Sequence, residues 1–357
     1  MDLEALLDRL AAVEPTGRPF LSLYVDTRPD NTGRDHWMPS VRKELAERAH
    51  AFRERTPDRV AYDADAERIV RWLESEPRPS ANGVVVFACE AAGVFEGVQL
   101  DSPIERTELF VAATPHLYPL ARVLDRYRRY AAVVTDTHLA RIFVIALGAI
   151  REREEIENRK VRRTMAGGWS QARYQRHAEN FQKEHVKELV DTLDRIVREE
   201  RIERVFVAGD EVVLPLVRAA LPKALADRVV EAAGGLDLAS SDAEILRETL
   251  ELERREEERD DAQRLARALD AYRAGGLGMI GVAAMRVALT NGQVHELFLA
   301  ADPGRLEGPD GERIGDELVA KARQTAARVT FLEDASLLDE AGGVAALLRY
   351  RLHRRAA

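Results

Sequence analysis

Residues 159–177 read RKVRRTMAGGWSQARYQRH and hold six Lys or Arg and no acid, in a chain whose formal net charge is −9. Arg162, Arg163, Arg173 and Arg176 bring planar, permanently charged donors of the kind that pair with phosphate. Trp169 and Tyr174 add flat faces on which unpaired bases stack, so the combination suits an RNA contact, with charge for the backbone and rings for the bases. Gly167 and Gly168 let the chain adopt turns closed to other residues and approach a surface closely. Ser170 has the chemistry of a helix N-cap, and a long helical pattern follows it. Arg173 and Arg176 then fall in the first turns, where cations oppose the helix dipole by about a few tenths of a kcal/mol each. Trp169 on an exposed tip carries a cost of its own unless it meets a partner. The competing reading is a plain solvated loop, because Gly-Gly and Arg are common in loops.

Other chemistry is sparse. The eight histidines are scattered, with no HExxH and no Cys/His pair at ligand spacing, so neither a metal nor a cofactor is expected. GxSxG is absent, which removes the usual hydrolase elbow. Gly276, Gly278 and Gly281 match GxGxxG, but a helical pattern precedes them where a dinucleotide site needs a strand. They read as a helix stop. Cys89, the single cysteine, sits in VVVFACE and reads as a small buried hydrophobe. His177 lies on the helix after the basic stretch, where nothing brings it within reach of a proton to abstract.

The elements that must position the basic stretch follow from periodicity. The chain has 357 residues, 46% of them apolar and 32% charged, which suits a soluble globular protein of two or three domains. No apolar run is long enough to span a bilayer, and MDLEALLDRL is an acidic amphipathic helix, unlike a secretory signal. A cytoplasmic location without membrane or DNA partners is the expectation. PFLSLYVDT (19–27) and GVVVFAC (83–89) read as strands, 40–55 and 62–75 as helices, and 94–112 as further β structure. ATPHLYPL (113–120) reads as a linker or first domain boundary, followed by a helix over 119–128. YAAVVTD and LARIFVIAL flank a Thr-His turn as a hairpin, and AIREREEIE (149–157) either extends that sheet or leaves it. After the basic stretch, Val186, Leu189, Val190, Leu193, Ile196 and Val197 share one helical face, and RVFVAG (204–209) is a buried strand. Residues 240–273 predict one long charged helix with a solvated face. Helices over 281–290 and 313–326 then alternate with strands 294–300 and 329–333, and LLRYRL closes the chain. The fold class is α/β, divided into 1–118, 119–238 and 239–357.

On these residues a family resemblance can be stated. MAGGWSQARYQRHAEN (165–180) resembles the central loop and following helix of archaeal and eukaryotic class-1 peptide-chain release factors. It looks closer still to their bacterial and archaeal relatives and to the Vms/Ankzf-type peptidyl-tRNA hydrolases of ribosome quality control. YAAVVTDTHLARIFVIALGAI (130–150) is similar to the opening strands of the family's middle domain. VALTNGQVHELFLA (287–300) resembles its third domain, and GGVAALLRYRL (342–352) the closing glycine turn and final strand. The likeness covers roughly 120–357 in the family's order; the N-terminal segment matches in position and in SLYVDT alone. The Asn-Ile-Lys-Ser tetrapeptide of the stop-codon readers is missing, so codon reading is not implied.

The resemblance implies a three-domain release-factor-like architecture with α/β middle and C-terminal domains. It further implies that the glycine loop enters the peptidyl-transferase centre of the large ribosomal subunit, where a glutamine helps to place water against the peptidyl-tRNA ester. Partners would be the large subunit, peptidyl-tRNA, and a translational GTPase or splitting factor. In the Gly-Gly-Gln register Trp169 occupies the glutamine position. Gly168-Trp169-Ser170-Gln171 instead fits the Gly-x-x-Gln spacing of the Vms-type proteins, which carries the catalytic role to Gln171, with Gly167 and Gly168 shaping the loop. Four alternatives stay open: Gln171 as merely the first helical residue, a non-catalytic factor occupying the A site of hibernating ribosomes, an endonuclease acting near the 3′ end of tRNA, and a plain tRNA- or protein-binding adaptor.

Replacing Arg162, Arg163, Arg173 and Arg176 together should weaken RNA binding and flatten its salt dependence. The log–log slope should shrink by about 0.9 for each phosphate no longer neutralised on a duplex, and by less on single strands. Titrations at stepped salt concentrations measure it, and an unchanged slope rejects this surface.

Overall fold

Three β-rich stretches of the sequence become three separate sheets. The computed structural model describes residues 3–29, 37–157, 171–232, 235–306 and 313–352, with backbone alone for 171–179. The chain forms two compact units, one of residues 1–126 with 256–357 and one of 127–255.

The first unit opens with α1 (Leu3–Ala11), β1 (Phe20–Asp26), α2 (Trp37–Ala49), α3 (Pro57–Ser75), β2 (Gly83–Cys89), β3 (Val94–Leu100), β4 (Glu108–Ala112) and α4 (Tyr118–Arg126). Its strands pair antiparallel in the order β3-β2-β1-β4. Alternation along β1 sends Leu21, Leu23 and Val25 against Val41 and Leu45 of α2 and Ile69 and Leu73 of α3. Every residue of β2 is buried, Cys89 included, as its unbroken apolar run requires. Helix α3 starts earlier than periodicity places it, because the Thr56 side chain accepts the Arg59 N–H and Pro57 fills the first helical position.

The second unit holds β5 (Tyr130–Thr135), β6 (Leu139–Ala146), β7 (Ala149–Glu157), α5 (Gln171–Glu199), β8 (Val205–Gly209), α6 (Val213–Ala220), α7 (Lys223–Ala226), β9 (Val229–Glu231) and the first turns of α8 (Asp242–Arg273). The sheet order is β7-β6-β5-β8-β9, antiparallel through β5, β6 and β7 and parallel through β5, β8 and β9. AIREREEIE thus extends the sheet. Its hairpin turns on Leu147 and Gly148, both at positive φ, the backbone that a two-residue connection between twisted strands demands. The six predicted core positions of α5 are all buried, against Ala131, Val133, Ile142 and Val205 on one face of the sheet. On the other face, Tyr130, Ala132, Phe143 and Phe206 pack with Ile245 of α8. Ser241 and Glu244 start α8 with reciprocal bonds, each side chain accepting the other residue's backbone N–H. Arg141, buried, donates to the carbonyls of Leu238 and Ser240 and pairs with Asp242, which pins the chain as it enters that helix.

The remainder of α8 returns to the first unit, followed by β10 (Gly278–Ile280), α9 (Val282–Thr290), β11 (Val294–Ala300), α10 (Ile314–Gln324), β12 (Arg328–Leu332) and β13 (Val344–Leu348). Their sheet runs β10-β13-β11-β12. A helix does precede the GxGxxG glycines, and Gly278 is explained by packing: a Cβ there would fall 2.1 Å from the Ala268 carbonyl oxygen and 2.2 Å from the Tyr272 nitrogen. The solvated face expected of α8 is present, with Arg247, Glu248, Arg254 and Arg255 exposed, and the helix has a buried side as well. A stripe of Ile245, Thr249, Glu253, Asp261, Leu265 and Ala268 is buried along its length. Polar members hid that stripe from a hydrophobicity reading; Glu253 pairs with Arg204 at 2.9 Å, and Asp261 pairs with Arg264. The closing strand stops at Leu348, and the guanidinium groups of Arg349 and Arg351 donate to the carbonyls of Thr325 and Gly275.

Residues 113–120 are no exposed linker. His116, Leu117, Tyr118 and Leu120 are buried. Asp316, in the first turn of α10, accepts the N–H groups of Leu117 at 2.9 Å and Tyr118 at 3.0 Å and pairs with His116 Nδ1. The His116 carbonyl accepts the Tyr24 hydroxyl, and its N–H reaches Ser22 Oγ at 2.9 Å. Asp316→Ala should cost about 2–4 kcal/mol, since it leaves several buried donors without an acceptor. Urea denaturation followed by hydrogen exchange is expected to show weakened amides in the first unit, with residues 130–209 unaffected and Asp316→Asn milder.

Candidate functional site

Strand β7 ends at Glu157 and helix α5 begins at Gln171. The stretch between them, with Arg162, Arg163, Gly167, Gly168, Trp169 and Ser170, lies outside the described residues, as do the side chains of Gln171, Arg173, Tyr174, Arg176 and His177. What is described is the frame that carries them. Gln171 is the first residue of α5, whose opening turn holds no acid.

The frame has a well-defined base. Glu157 pairs with Leu139 at the end of the sheet, beside the β5–β6 turn. That turn is tied by Asp136, whose carboxylate accepts the N–H groups of His138 at 2.6 Å and Leu139 at 2.8 Å. Ile156 of β7 joins Val186, Leu189 and Val190 of α5 in one core, and Arg195 of α5 donates to Glu154 of β7 at 2.7 Å. Among the described side chains toward the N-terminus of α5, Asn180, Lys183 and Glu184 are exposed, Phe181 and Gln182 half-buried, and His185 and Val186 buried. Gln171 stands fourteen residues ahead of His185 (185 − 171), about 21 Å along the axis at 1.5 Å per residue.

His185 is the residue that sequence reasoning missed. It lies one turn before Leu189, so its spacing was the signal; only its polarity kept it out of the apolar pattern. It is wholly buried, with the Leu139 backbone beside its ring. Burial holds its pKa below the ordinary histidine value, a shift opposed by the charges of Asp136 and Glu188 and by the Leu139 backbone, and reinforced by His138. Among the described residues, no group of three or more His, Cys, Asp or Glu is placed to hold a metal ion, and no helix is long and apolar enough to cross a membrane.

Residues 115–254 match the model of bacterial archaeo-eukaryotic release factor family 10. The uncharacterized protein YocB of Bacillus subtilis (strain 168) is 24% identical over 226 residues, 59% of this chain and 85% of that one. Among solved structures, the archaeal translation termination factor aRF1 is 18% identical over 98% of this chain and 97% of its own, with a TM-score of 0.27. Archaeoglobus fulgidus Pelota is 15% identical over 99% and 93%, with a TM-score of 0.37.

Since the folded state disfavours the His185 imidazolium, the stability it permits is complete above the unfolded pKa, about 6.5, and is lost as pH falls from there toward the lower folded value. Thermal melts from pH 8 to 5 should therefore fall less steeply for His185→Leu than for the parent, and ring NMR should find His185 neutral below pH 6.5.

Proposed function

We propose that this protein, whose residues 115–254 are release-factor-like, is a ribosome-associated translation factor that hydrolyses peptidyl-tRNA without reading a stop codon. Its substrates are nascent chains held on stalled ribosomes or on split large subunits. One observation carries the reading: Gln171, at the end of Gly168-Trp169-Ser170-Gln171, is the first residue of the helix that packs on the sheet of the release-factor-like unit. A cationic loop at the head of that helix suits a narrow passage walled by phosphates.

The amide of Gln171 neither gains nor loses a proton near neutral pH, so its role is positional: it holds water by hydrogen bonds in line with the ester carbonyl. Water oxygen bonds to the acyl carbon, the bond to the terminal ribose oxygen breaks, and the proton passes to that oxygen. Gly167 and Gly168 give the loop its turn. Arg162, Arg163, Arg173 and Arg176 bind RNA phosphates, while Trp169, Ser170 and Tyr174 complete the RNA contact. A translational GTPase or splitting factor is the proposed delivery partner. A second reading draws on Trp169, which stands where the Gly-Gly-Gln register has its glutamine. As a stacking anchor it suits a factor that occupies ribosomes without catalysis.

A release assay on isolated large subunits carrying peptidyl-tRNA decides between these. Gln171→Ala should lower the release rate at least about tenfold, near 1.4 kcal/mol of transition-state stabilisation, with subunit binding retained. No release by the parent, or equal release by the variant, rejects the hydrolase. Recovery of shortened tRNA in place of intact tRNA identifies an endonuclease.

A further inference from the structure

Strand β4 ends its sheet and pairs with β1 alone among the described strands. In an antiparallel pair, alternate residues turn their backbone N–H and C=O groups away from the partner. The Glu44 carboxylate accepts the Leu109 N–H at 3.2 Å, which sets the phase: Leu109 and Val111 are the residues of β4 that face outward. Glu44 answers the first. The second opens on a cleft of about 520 Å³ between the β4 edge, the end of α1 at Leu10, Ala11 and Val13, and one face of α10. That cleft touches both Val111 and Ala112, whose side chains point to opposite faces of the sheet, so it meets the strand edge-on. An open strand edge of this kind is a template for pairing with another chain.

Charge along the α10 wall is matched, with one exception. Asp316 is engaged by the Leu117 and Tyr118 amides and by His116, and Glu317 by Arg286 and Lys321, each at 2.7 Å. Gln324 Nε2 donates to the Ala11 carbonyl at 2.6 Å. Arg313 is left over. Its guanidinium carbon lies 4.5 Å from the centroid of the Phe110 ring, and its buried Nη1 has no hydrogen-bond partner among the described residues. A buried charged donor of that sort calls for an acceptor from outside, and a carboxylate fits the planar fork best. The free ladder is also short. Glu44 holds the position before it, and Pro115, which lines the cleft beyond, has no N–H to offer. A strand laid on Val111 therefore stops near Phe110, where Arg313 stands.

The geometry points to a docking site for the C-terminal end of a partner protein, whose last residues add antiparallel to β4 at Val111 and whose terminal carboxylate pairs with Arg313. A small free carboxylate would answer Arg313 and leave the strand edge unused. The site lies in the first unit and does not rest on the proposed hydrolysis.

The test presents the full chain with N-terminally biotinylated pentapeptides of randomised sequence, one pool with free C-terminal carboxylates and one amidated. Peptides selected from the free pool should lose at least about tenfold in affinity when amidated. Arg313→Gln should weaken the same peptides by about tenfold, and Arg313→Lys, which keeps the charge, by less. In the parent protein, a saturating selected peptide should slow exchange of the Val111 amide by about tenfold or more, a readout that needs no variant to fold. No selection from the free pool, equal binding of the amides, undiminished binding by Arg313→Gln, or an unprotected Val111 amide each overturns the site. Self-association of the parent that Arg313→Gln abolishes assigns the cleft to a second copy and overturns the partner.

Discussion

The burial of one face of α5 against the five-stranded sheet is the constraint on which the rest of the second unit depends. Val186, Leu189, Val190, Leu193, Ile196 and Val197 interlock with Ala131, Val133, Ile142, Ile156 and Val205. Each such side chain contributes about 1.5–3 kcal/mol when fully buried. That contact fixes the helix on the sheet from Val186 to Val197, and such packing of one face, more than intrinsic propensity, supplies most of a helix's stability in a folded protein.

The charged groups of the unit fall into two sets. Those near the sheet are matched: Arg141 with Asp242, Arg195 with Glu154 and Arg204 with Glu253. The arginines of 159–177 are followed by no acid in the first turn of α5. Charge inside the frame is used for register, while the arginines of 159–177 are those to which the proposed function assigns the RNA contact.

Much of the frame was legible in the sequence. The unbroken runs of β2 and β8, the β5–β6 hairpin and the inward stripe of α5 all obey simple periods, and they fold as those periods require. What escaped was carried by polar atoms in buried places. The stripe of α8 contains Thr249, Glu253 and Asp261, so no hydrophobic period marks it. Residues 116–118 carry turn-like proline neighbours, yet Asp316, some two hundred positions away, holds them in the interior. No local pattern announces a partner so distant. His185 was hidden in the same way, a polar letter in an apolar phase. Of the site itself, residue types and spacing were readable, but the Gly-x-x-Gln reading came from family resemblance and not from any period.

The first unit is discontinuous in sequence, made of 1–126 and 256–357, with 127–255 set between them. On a ribosome making this protein, the chain emerges from its N-terminus, and domains tend to fold as they appear. The release-factor-like unit has all its strands once residue 231 is out. The N-terminal sheet, by contrast, must wait for α10 before Asp316 can receive the amides of Leu117 and Tyr118. During synthesis the order of maturation is thus inverted: the insert ripens first, and its host stays incomplete until α10 has been made.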